Sequence, residues 1–185
     1  IVLSTKIPVR LGQGGLSKNI IAPNAFERGV NTLKRYRSLI DDHKTDKIFA
    51  FATSAIRGAS NKNEFLNAVK EAAGIDIEII TGEREAELIY KGVKFALKIG
   101  EQPELIMDIG GGSTEFIIAN DKQLFWKGSF LLGVSQIMDK FTPSDPIKKE
   151  EINAIENYLD VELKSLWDAI KISPVDTLIG SSGSF

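Results

Sequence analysis

Residues 105–118 read LIMDIGGGSTEFII and contain the most informative pattern in this chain. It predicts a buried strand, a turn of three glycines and a second strand. Because glycine has no Cβ, backbone amides in such a turn can converge on a ligand, and converging amides bind phosphate. Asp108 ends the first strand and Glu115 follows the turn, and carboxylate oxygens are ligands that Mg²⁺ prefers where it bridges phosphates. The stretch therefore predicts a magnesium-dependent phosphate site. The phosphate-binding residues of that predicted site are Gly110, Gly111, Gly112 and Ser113, and its metal ligands are Asp108 and Glu115.

A plain β-hairpin is the alternative interpretation of the same stretch. In a hairpin the glycines would only supply positive φ angles. A two-residue hairpin loop needs one or two such residues, whereas this turn has three in a row between an acid and a hydroxyl. The loop chemistry therefore favours the phosphate site.

The composition narrows the class of protein. The chain has 185 residues, enough for one domain or two small ones, and 43% of them are apolar. With a net charge of −2, the chain lacks the excess of basic residues that is typical of a protein that binds duplex nucleic acid. Cysteine is absent and His43 is the single histidine, so no cysteine- or histidine-rich metal site can form.

The ends of the chain affect the prediction of location. No signal peptide, membrane span or lipidation motif is visible, and the lack of cysteine fits a reducing compartment. These features predict a cytoplasmic protein without a membrane partner. Residues 1–3 resemble the middle of a strand and residues 180–185 resemble part of a loop, so we expect a chain truncated at both ends.

The order of the segments predicts an α/β protein. Strands and helices alternate, which favours a mixed or parallel sheet with helices outside it. Residues 1–11 read as an edge strand, residues 53–60 as a loop, and residues 147–170 as one long amphipathic helix. We place the boundary between two lobes, residues 1–90 and 91–185, inside a helix that begins near Glu83. Substrates commonly bind in clefts between two such lobes.

Glu85 and Arg57 are the further candidates for chemistry. Glu85 lies in the first turn of its predicted helix at the edge of the apolar stripe, where a carboxylate can activate water. The alternative is a helix start enriched in acids that match the macrodipole, and spacing alone favours it. Arg57 follows the carboxyl end of a buried strand, where a guanidinium can clamp a phosphoryl group or simply be solvated. Its neighbours Thr53 and Ser54 are either phosphate ligands or turn formers.

Three segments together resemble the exopolyphosphatase and guanosine pentaphosphate phosphatase family. They are FATSAIR at residues 51–57, IITGEREA at 79–86 and MDIGGGSTE at 107–115, and LIGSSG at 178–183 is similar to a later loop of the family. Their order and spacing extend the resemblance over essentially the whole chain. The glycine turn alone would indicate only the wider superfamily of actin, sugar kinases and heat-shock ATPases.

The resemblance implies two ribonuclease H-like lobes of the actin-like ATPase type with the active site in the cleft between them. It implies that Glu85 activates water, that Arg57 faces the terminal phosphates, and that Asp108 and Glu115 hold Mg²⁺ beside the loop from Gly110 to Ser113. The substrate it implies is polyphosphate or guanosine pentaphosphate, and the assembly it implies is a homodimer.

Two departures from the family pattern stand out. The family's first strand and its Asp-x-Gly-(Ser/Thr)-Asn phosphate loop would precede Ile1, so one metal ligand and part of the phosphate cradle are absent from this sequence. Glu87 stands where many members carry arginine, which would weaken the binding of polyanions or change the preferred substrate. An ATPase or kinase of the same superfamily, and a regulator that binds phosphate compounds without catalysis, remain the alternatives.

Overall fold

The computed structural model describes residues 2–182 of the chain. The chain divides into two compact units, and the boundary between them falls between Ile80 and Thr81. The sequence places this boundary ten residues later, inside a helix. The whole of that helix belongs to the second unit, because its buried Ala86 and Val93 are part of the core of that unit.

The described residues of the first unit form three α-helices, a short 3₁₀ helix at Leu16–Lys18 and a two-stranded parallel sheet. The helices are α1 (Pro23–Asp42), α2 (Ser54–Arg57) and α3 (Lys62–Ala73), and the strands are β1 (Ala50–Ala52) and β2 (Ile77–Ile79). Phe65 on α3 is fully buried, and its ring meets the ring of Phe26 on α1 edge to face at 5.2 Å. This packing of α1 on α3 supports the sheet and the short helix that follows β1.

Two predictions for the first unit are wrong. The predicted edge strand has no strand structure within residues 2–11, where no neighbouring strand pairs with it and Pro8 cannot donate to a ladder. The predicted loop at residues 53–60 contains α2, because the carbonyl of Thr53 accepts the N–H groups of Ile56 and Arg57 at 3.1 and 2.8 Å.

The second unit is a four-stranded mixed sheet with helices on both faces. Its strands are β3 (Glu104–Ile109), β4 (Thr114–Ala119), β5 (Leu124–Phe130) and β6 (Leu178–Ser181), in the spatial order β5-β4-β3-β6. The strands β3, β4 and β5 are antiparallel neighbours, and β6 runs parallel to β3. Its helices are α4 (Gly82–Ala96), α5 (Val134–Phe141), α6 (Lys149–Glu162) and α7 (Lys164–Ile172).

The two faces of this sheet have separate cores. Ile106 and Ile117 pack with residues of α4 on one face. Phe116 packs with Leu163 and Leu166 on the opposite face, which α5, α6 and α7 cover. Because side chains alternate along a strand, residues two positions from Ile106 and Ile117 also lie on the face of α4.

The predicted long helix at residues 147–170 is two helices. The helix α6 ends at Glu162 and α7 begins at Lys164, with the backbone of Leu163 at φ −88° and ψ 12° between them. Leu163 and Leu166 are both buried, so the break keeps both side chains against the sheet. Among residues 2–182, no helix is long and apolar enough to cross a membrane.

Candidate phosphate and metal site

The two predicted metal ligands are direct partners in the sheet. Asp108 of β3 pairs with Glu115 of β4 in the antiparallel ladder. Opposite residues in such a ladder point to the same face, with Cβ atoms about 4.5–5.5 Å apart. That face is the one that α4 covers, since Ile106 and Ile117 lie two positions away and pack with α4. The structure therefore brings both predicted carboxylates together beside the glycine turn.

Glu115 is an acid in a buried, negatively charged setting. It is only 2% exposed, and the hydroxyl of Ser129 donates to its Oε1 at 2.7 Å. Burial raises the pKa of the Glu115 carboxyl. Hydroxyls of Ser129 and Ser113 oppose that increase, whereas the negative charges of Glu85 and Asp108 add to it, and the pKa is raised overall. Since both nearby charges are negative, a cation at this place would relieve their repulsion.

Glu85 belongs to the same group of acids. It lies in the first turn of α4, which begins after Thr81, and the Thr81 hydroxyl accepts the N–H of Arg84 at 3.1 Å. The Glu85 N–H donates to the carbonyl of Thr81 at 2.9 Å, so the backbone at this position is fixed by the helix start. Glu85 is close enough to raise the pKa of Glu115, which places the three carboxylates Glu85, Asp108 and Glu115 in one electrostatic cluster.

The glycine turn is not an ordinary positive-φ hairpin. Within residues 2–182 the glycines with positive φ are Gly14 and Gly74, neither of which belongs to the turn. The N–H of Gly110 donates to the carbonyl of Ser113 at 2.9 Å and closes the turn. The predicted phosphate loop therefore exists as a loop, and the Gly110 amide donates within it in this conformation.

Arg57, Thr53 and Ser54 lie in the first unit, at the end of β1. Thr53 precedes α2 and Arg57 ends it, and the Arg57 Nη1 donates to the carbonyl of Ile80 at 2.9 Å. The Ser54 hydroxyl is buried and has no hydrogen-bond partner among the described residues. Their roles as phosphate ligands remain predictions.

The residues present fit a magnesium ion that also uses ligands from outside the protein. Within residues 2–182, no group of three or more His, Cys, Asp or Glu side chains is arranged to hold a metal ion by itself. Mg²⁺ is commonly held by one or two carboxylates together with water and substrate phosphates. Asp108 and Glu115 supply two such carboxylates, and the electrostatic cluster favours a cation beside them.

Sequence reasoning missed the serines that hold these acids. Ser129 of β5 is the ladder partner of Glu115, and Ser181 of β6 is the ladder partner of Asp108. The Ser181 hydroxyl donates to Oδ2 of Asp108 at 3.3 Å. Period-two alternation can assign Ser129 to a face of its strand, but it does not say which residue lies opposite. Gly183, part of the predicted later loop, lies outside the described residues.

A second missed group surrounds Glu87. The Nη1 atom of Arg84 donates to Glu87 at 3.0 Å, and the Lys127 ammonium on β5 pairs with the same carboxylate. These pairs lower the pKa of Glu87, and the hydrogen bond from Lys127 has the largest effect. The acid that departs from the family pattern therefore neutralises two neighbouring cations.

The fold and the hairpin define a mixed α/β protein that places carboxylates beside a glycine loop. The sequence model of the Ppx/GppA phosphatase family matches residues 1–185, and the chain belongs to that family.

Two of the chain's relatives show clear sequence similarity to it. An exopolyphosphatase structure from Cytophaga hutchinsonii is 41% identical with a TM-score of 0.93, over 95% of this chain and 56% of that one. A bifunctional 3-dehydroquinate synthase/phosphatase of Fusobacterium nucleatum is 34% identical over 95% of this chain and 27% of its own length. The chain thus spans about half of the solved relative and about a quarter of the curated one.

A third similarity concerns the fold alone. A chain of a PilM–PilN type IV pilus biogenesis complex is 10% identical with a TM-score of 0.51, over 91% of this chain and 71% of that one. PilM has the actin-like ATPase fold, so this similarity concerns the fold of the chain and not its role.

Proposed function

We propose that the protein containing this chain is a phosphoanhydride hydrolase. It releases orthophosphate from the end of inorganic polyphosphate, from the 5′ tail of guanosine pentaphosphate, or from both. The observation that carries the proposal is the pairing of Asp108 with Glu115 beside the glycine loop, in a chain of a phosphatase family. The names of the similar exopolyphosphatase and of the bifunctional synthase/phosphatase support the same class of reaction.

Glu85 is the proposed general base. Its carboxylate accepts a proton from water, the water oxygen bonds to the terminal phosphorus, and the bond from that phosphorus to the bridging oxygen breaks. Orthophosphate leaves, and the bridging oxygen stays with the shortened chain. In support of this role, the start of α4 fixes the Glu85 backbone, and the Glu85 charge is one of the causes that raise the pKa of Glu115. A positioned base contributes about 10²–10⁴-fold to such a rate.

Asp108 and Glu115 are the proposed magnesium ligands, and their serine partners orient them. When bound, Mg²⁺ would supply neutralisation of the negative charge on the phosphate chain. The loop residues Gly111, Gly112 and Ser113, together with Thr53 and Ser54, are proposed to contact phosphate oxygens. Arg57 is proposed to hold the terminal phosphoryl group, because a guanidinium can bind two phosphate oxygens at once.

The experiment measures orthophosphate release from long-chain polyphosphate, guanosine pentaphosphate and ATP in the presence of Mg²⁺. It compares the full-length protein with its Glu85→Gln and Glu83→Gln variants. Glu83 is an exposed acid in the same first helical turn, so its variant tests whether charge at the helix start is sufficient. We expect Glu85→Gln to lose about 10²-fold or more of the rate and to keep substrate binding, while Glu83→Gln stays close to the parent protein.

Three other results of this experiment would contradict all or part of the proposal. Equal rates for the parent protein and Glu85→Gln would remove Glu85 from the reaction. Tight binding without release from any of the three compounds would favour a regulator. Release from ATP alone, with no binding of the other two compounds, would favour the ATPase or kinase alternative.

A further inference from the structure

The glycine loop is held from one side by the segment that begins α5. The N–H of Val134 donates to the carbonyl of Gly110 at 3.0 Å, and the N–H of Ser135 donates to the carbonyl of Gly111 at 2.8 Å. A third bond joins the Thr114 hydroxyl, directly after the loop, to the carbonyl of Leu132 at 3.0 Å. Two consecutive loop carbonyls are therefore directed at the first two amides of α5.

Gly133 allows this close approach. A Cβ built on Gly133 would lie 2.5 Å from the carbonyl carbon and oxygen of Gly111 and from the nitrogen of Gly112. Its φ of −66° and ψ of 159° are accessible to any residue, so glycine is required here for space and not for backbone conformation. The neighbouring atoms belong to the backbone, which cannot move aside without displacing the loop.

The direction of the two carbonyls fixes the direction of the next two amides. In a trans peptide unit the C=O of one residue and the N–H of the following residue point in opposite directions. Because the carbonyls of Gly110 and Gly111 point at α5, the N–H groups of Gly111 and Gly112 point away from α5. The Gly110 amide is excluded from this pair, since it donates to the carbonyl of Ser113.

The helix α5 lies on the face of the sheet opposite to the acids. Its Ile137 packs in the cluster that contains Phe116 and Met107, which are ladder partners. Asp108 and Glu115 are the neighbouring positions on those strands. Their side chains therefore project from the opposite face of the sheet. Amides that point away from α5 thus point to the side of the sheet that carries the two carboxylates.

We propose that Gly133, Val134 and Ser135 are positioning residues that aim the Gly111 and Gly112 amides at one phosphate group beside Asp108 and Glu115. This inference rests on the proposed function and narrows its phosphate contacts from the whole glycine loop to two amides. It also gives a role to residues that lie on the opposite side of the loop from the substrate.

The test replaces Val134 by proline and, as a matched control, by alanine. Proline suits the first position of a helix, and the extended backbone of Gly133 is the conformation required before proline. Its ring carbon takes the place of the amide hydrogen, so the Gly110 carbonyl loses its donor and is pushed away from α5. Val134→Ala removes the same half-exposed side chain and keeps the N–H.

Binding is measured with orthophosphate as the probe, by NMR on full-length protein labelled with ¹⁵N-glycine. In the parent protein and in Val134→Ala we expect the Gly111 and Gly112 amide signals to shift on titration. In Val134→Pro we expect those shifts to be lost and binding to weaken about tenfold or more, since charge-assisted hydrogen bonds are lost. The KM for polyphosphate should rise in Val134→Pro, and the melting temperature should stay within a few degrees.

The inference is overturned if Val134→Pro and Val134→Ala bind phosphate equally well, or if phosphate binds the parent protein without moving the two amide signals. Should Val134→Pro fail to fold, the titration of the parent protein decides alone. Phosphate release with silent Gly111 and Gly112 amides would reject this inference and leave the proposed function intact. Shifts of the Gly111 and Gly112 amide signals without phosphate release from any substrate would support this inference and reject the proposed function.

Discussion

Asp108 and Glu115 face each other across the β3–β4 ladder, and both carboxylates project from the face of the sheet that α4 covers. Two acids at opposite positions repel each other, and burial of Glu115 adds to the cost of its charge. The pair is tolerated because a serine hydroxyl donates to each carboxylate. A divalent cation beside the pair would relieve this repulsion.

The first prediction concerns Glu115→Gln in protein freed of metal by a chelator. Because the pKa of Glu115 is raised above its ordinary value of 4.5, the folded protein keeps this proton at pH values where the unfolded chain has lost it. Stability therefore decreases as the pH rises through that window. Glutamine accepts the same hydroxyl and carries no charge, so the variant should melt at a higher temperature near neutral pH and about the same temperature below about pH 4.

Thermal unfolding followed by circular dichroism at several pH values checks this prediction. Glu101→Gln, the same exchange at an exposed acid, is the control. A difference in melting temperature between the parent protein and Glu115→Gln that does not change with pH would contradict the assigned shift.

The second prediction concerns Asp108→Asn and the metal. Removal of one carboxylate should raise the Mg²⁺ concentration required for half-maximal phosphate release by about tenfold or more. The amide can still accept the Ser181 hydroxyl, so folding should be little changed. Asp139→Asn, an exposed position on α5, is the control. An unchanged Mg²⁺ requirement in Asp108→Asn would place the metal elsewhere.

The third prediction concerns Glu87→Arg, which introduces the residue that many family members carry. It removes the acceptor of Arg84 and Lys127 and places a third positive charge beside them. We expect a lower melting temperature, tighter binding of long polyphosphate and a steeper decrease of that binding with salt.

A charge-swapped variant separates these effects. Glu87→Arg combined with Lys127→Glu restores an ion pair of opposite orientation, so it should recover the melting temperature of the parent protein. Recovery would show that the pair itself joins α4 to β5. If the double variant is less stable than Glu87→Arg alone, the pairing of Glu87 with Lys127 does not account for the effect.

The fourth prediction compares two helical glycines. A Cβ on Gly29 of α1 would lie 2.7 Å from the ring of Phe65 and 2.8 Å from the side chain of Leu11. Phe65 is fully buried and cannot yield readily, so Gly29→Ala should lower the free energy of unfolding by about 1–3 kcal/mol. A Cβ on Gly92 of α4 would meet no atom within 4 Å, so Gly92→Ala should stabilise by about 0.5–1 kcal/mol.

Chemical denaturation of the two alanine variants and the parent protein gives both values. Equal effects of the two substitutions would mean that helix propensity, and not the close packing of α1 on α3, decides the outcome at Gly29.

Local pattern was sufficient for the hairpin and insufficient at two other places. The strands on either side of the glycine turn are confirmed, because apolar runs and glycines mark their ends. The helical turn at residues 54–57 was missed since its four residues are too short to show a period. The break at Leu163 was missed because neither glycine nor proline marks it, and packing of Leu163 and Leu166 on the sheet decides it.

Residues close together in the chain were enough to predict the strand–glycine–strand hairpin and the acid at each side of its turn, and three short segments along the chain were enough to predict the phosphatase family. The surroundings of those acids depend on contacts between distant parts of the chain. Ser181 reaches Asp108 from 73 residues away, Ser129 reaches Glu115 from a third strand, and Gly133 brings α5 against the glycine loop. These contacts depend on strand register and on the space between backbones, and a local pattern of residue types specifies neither.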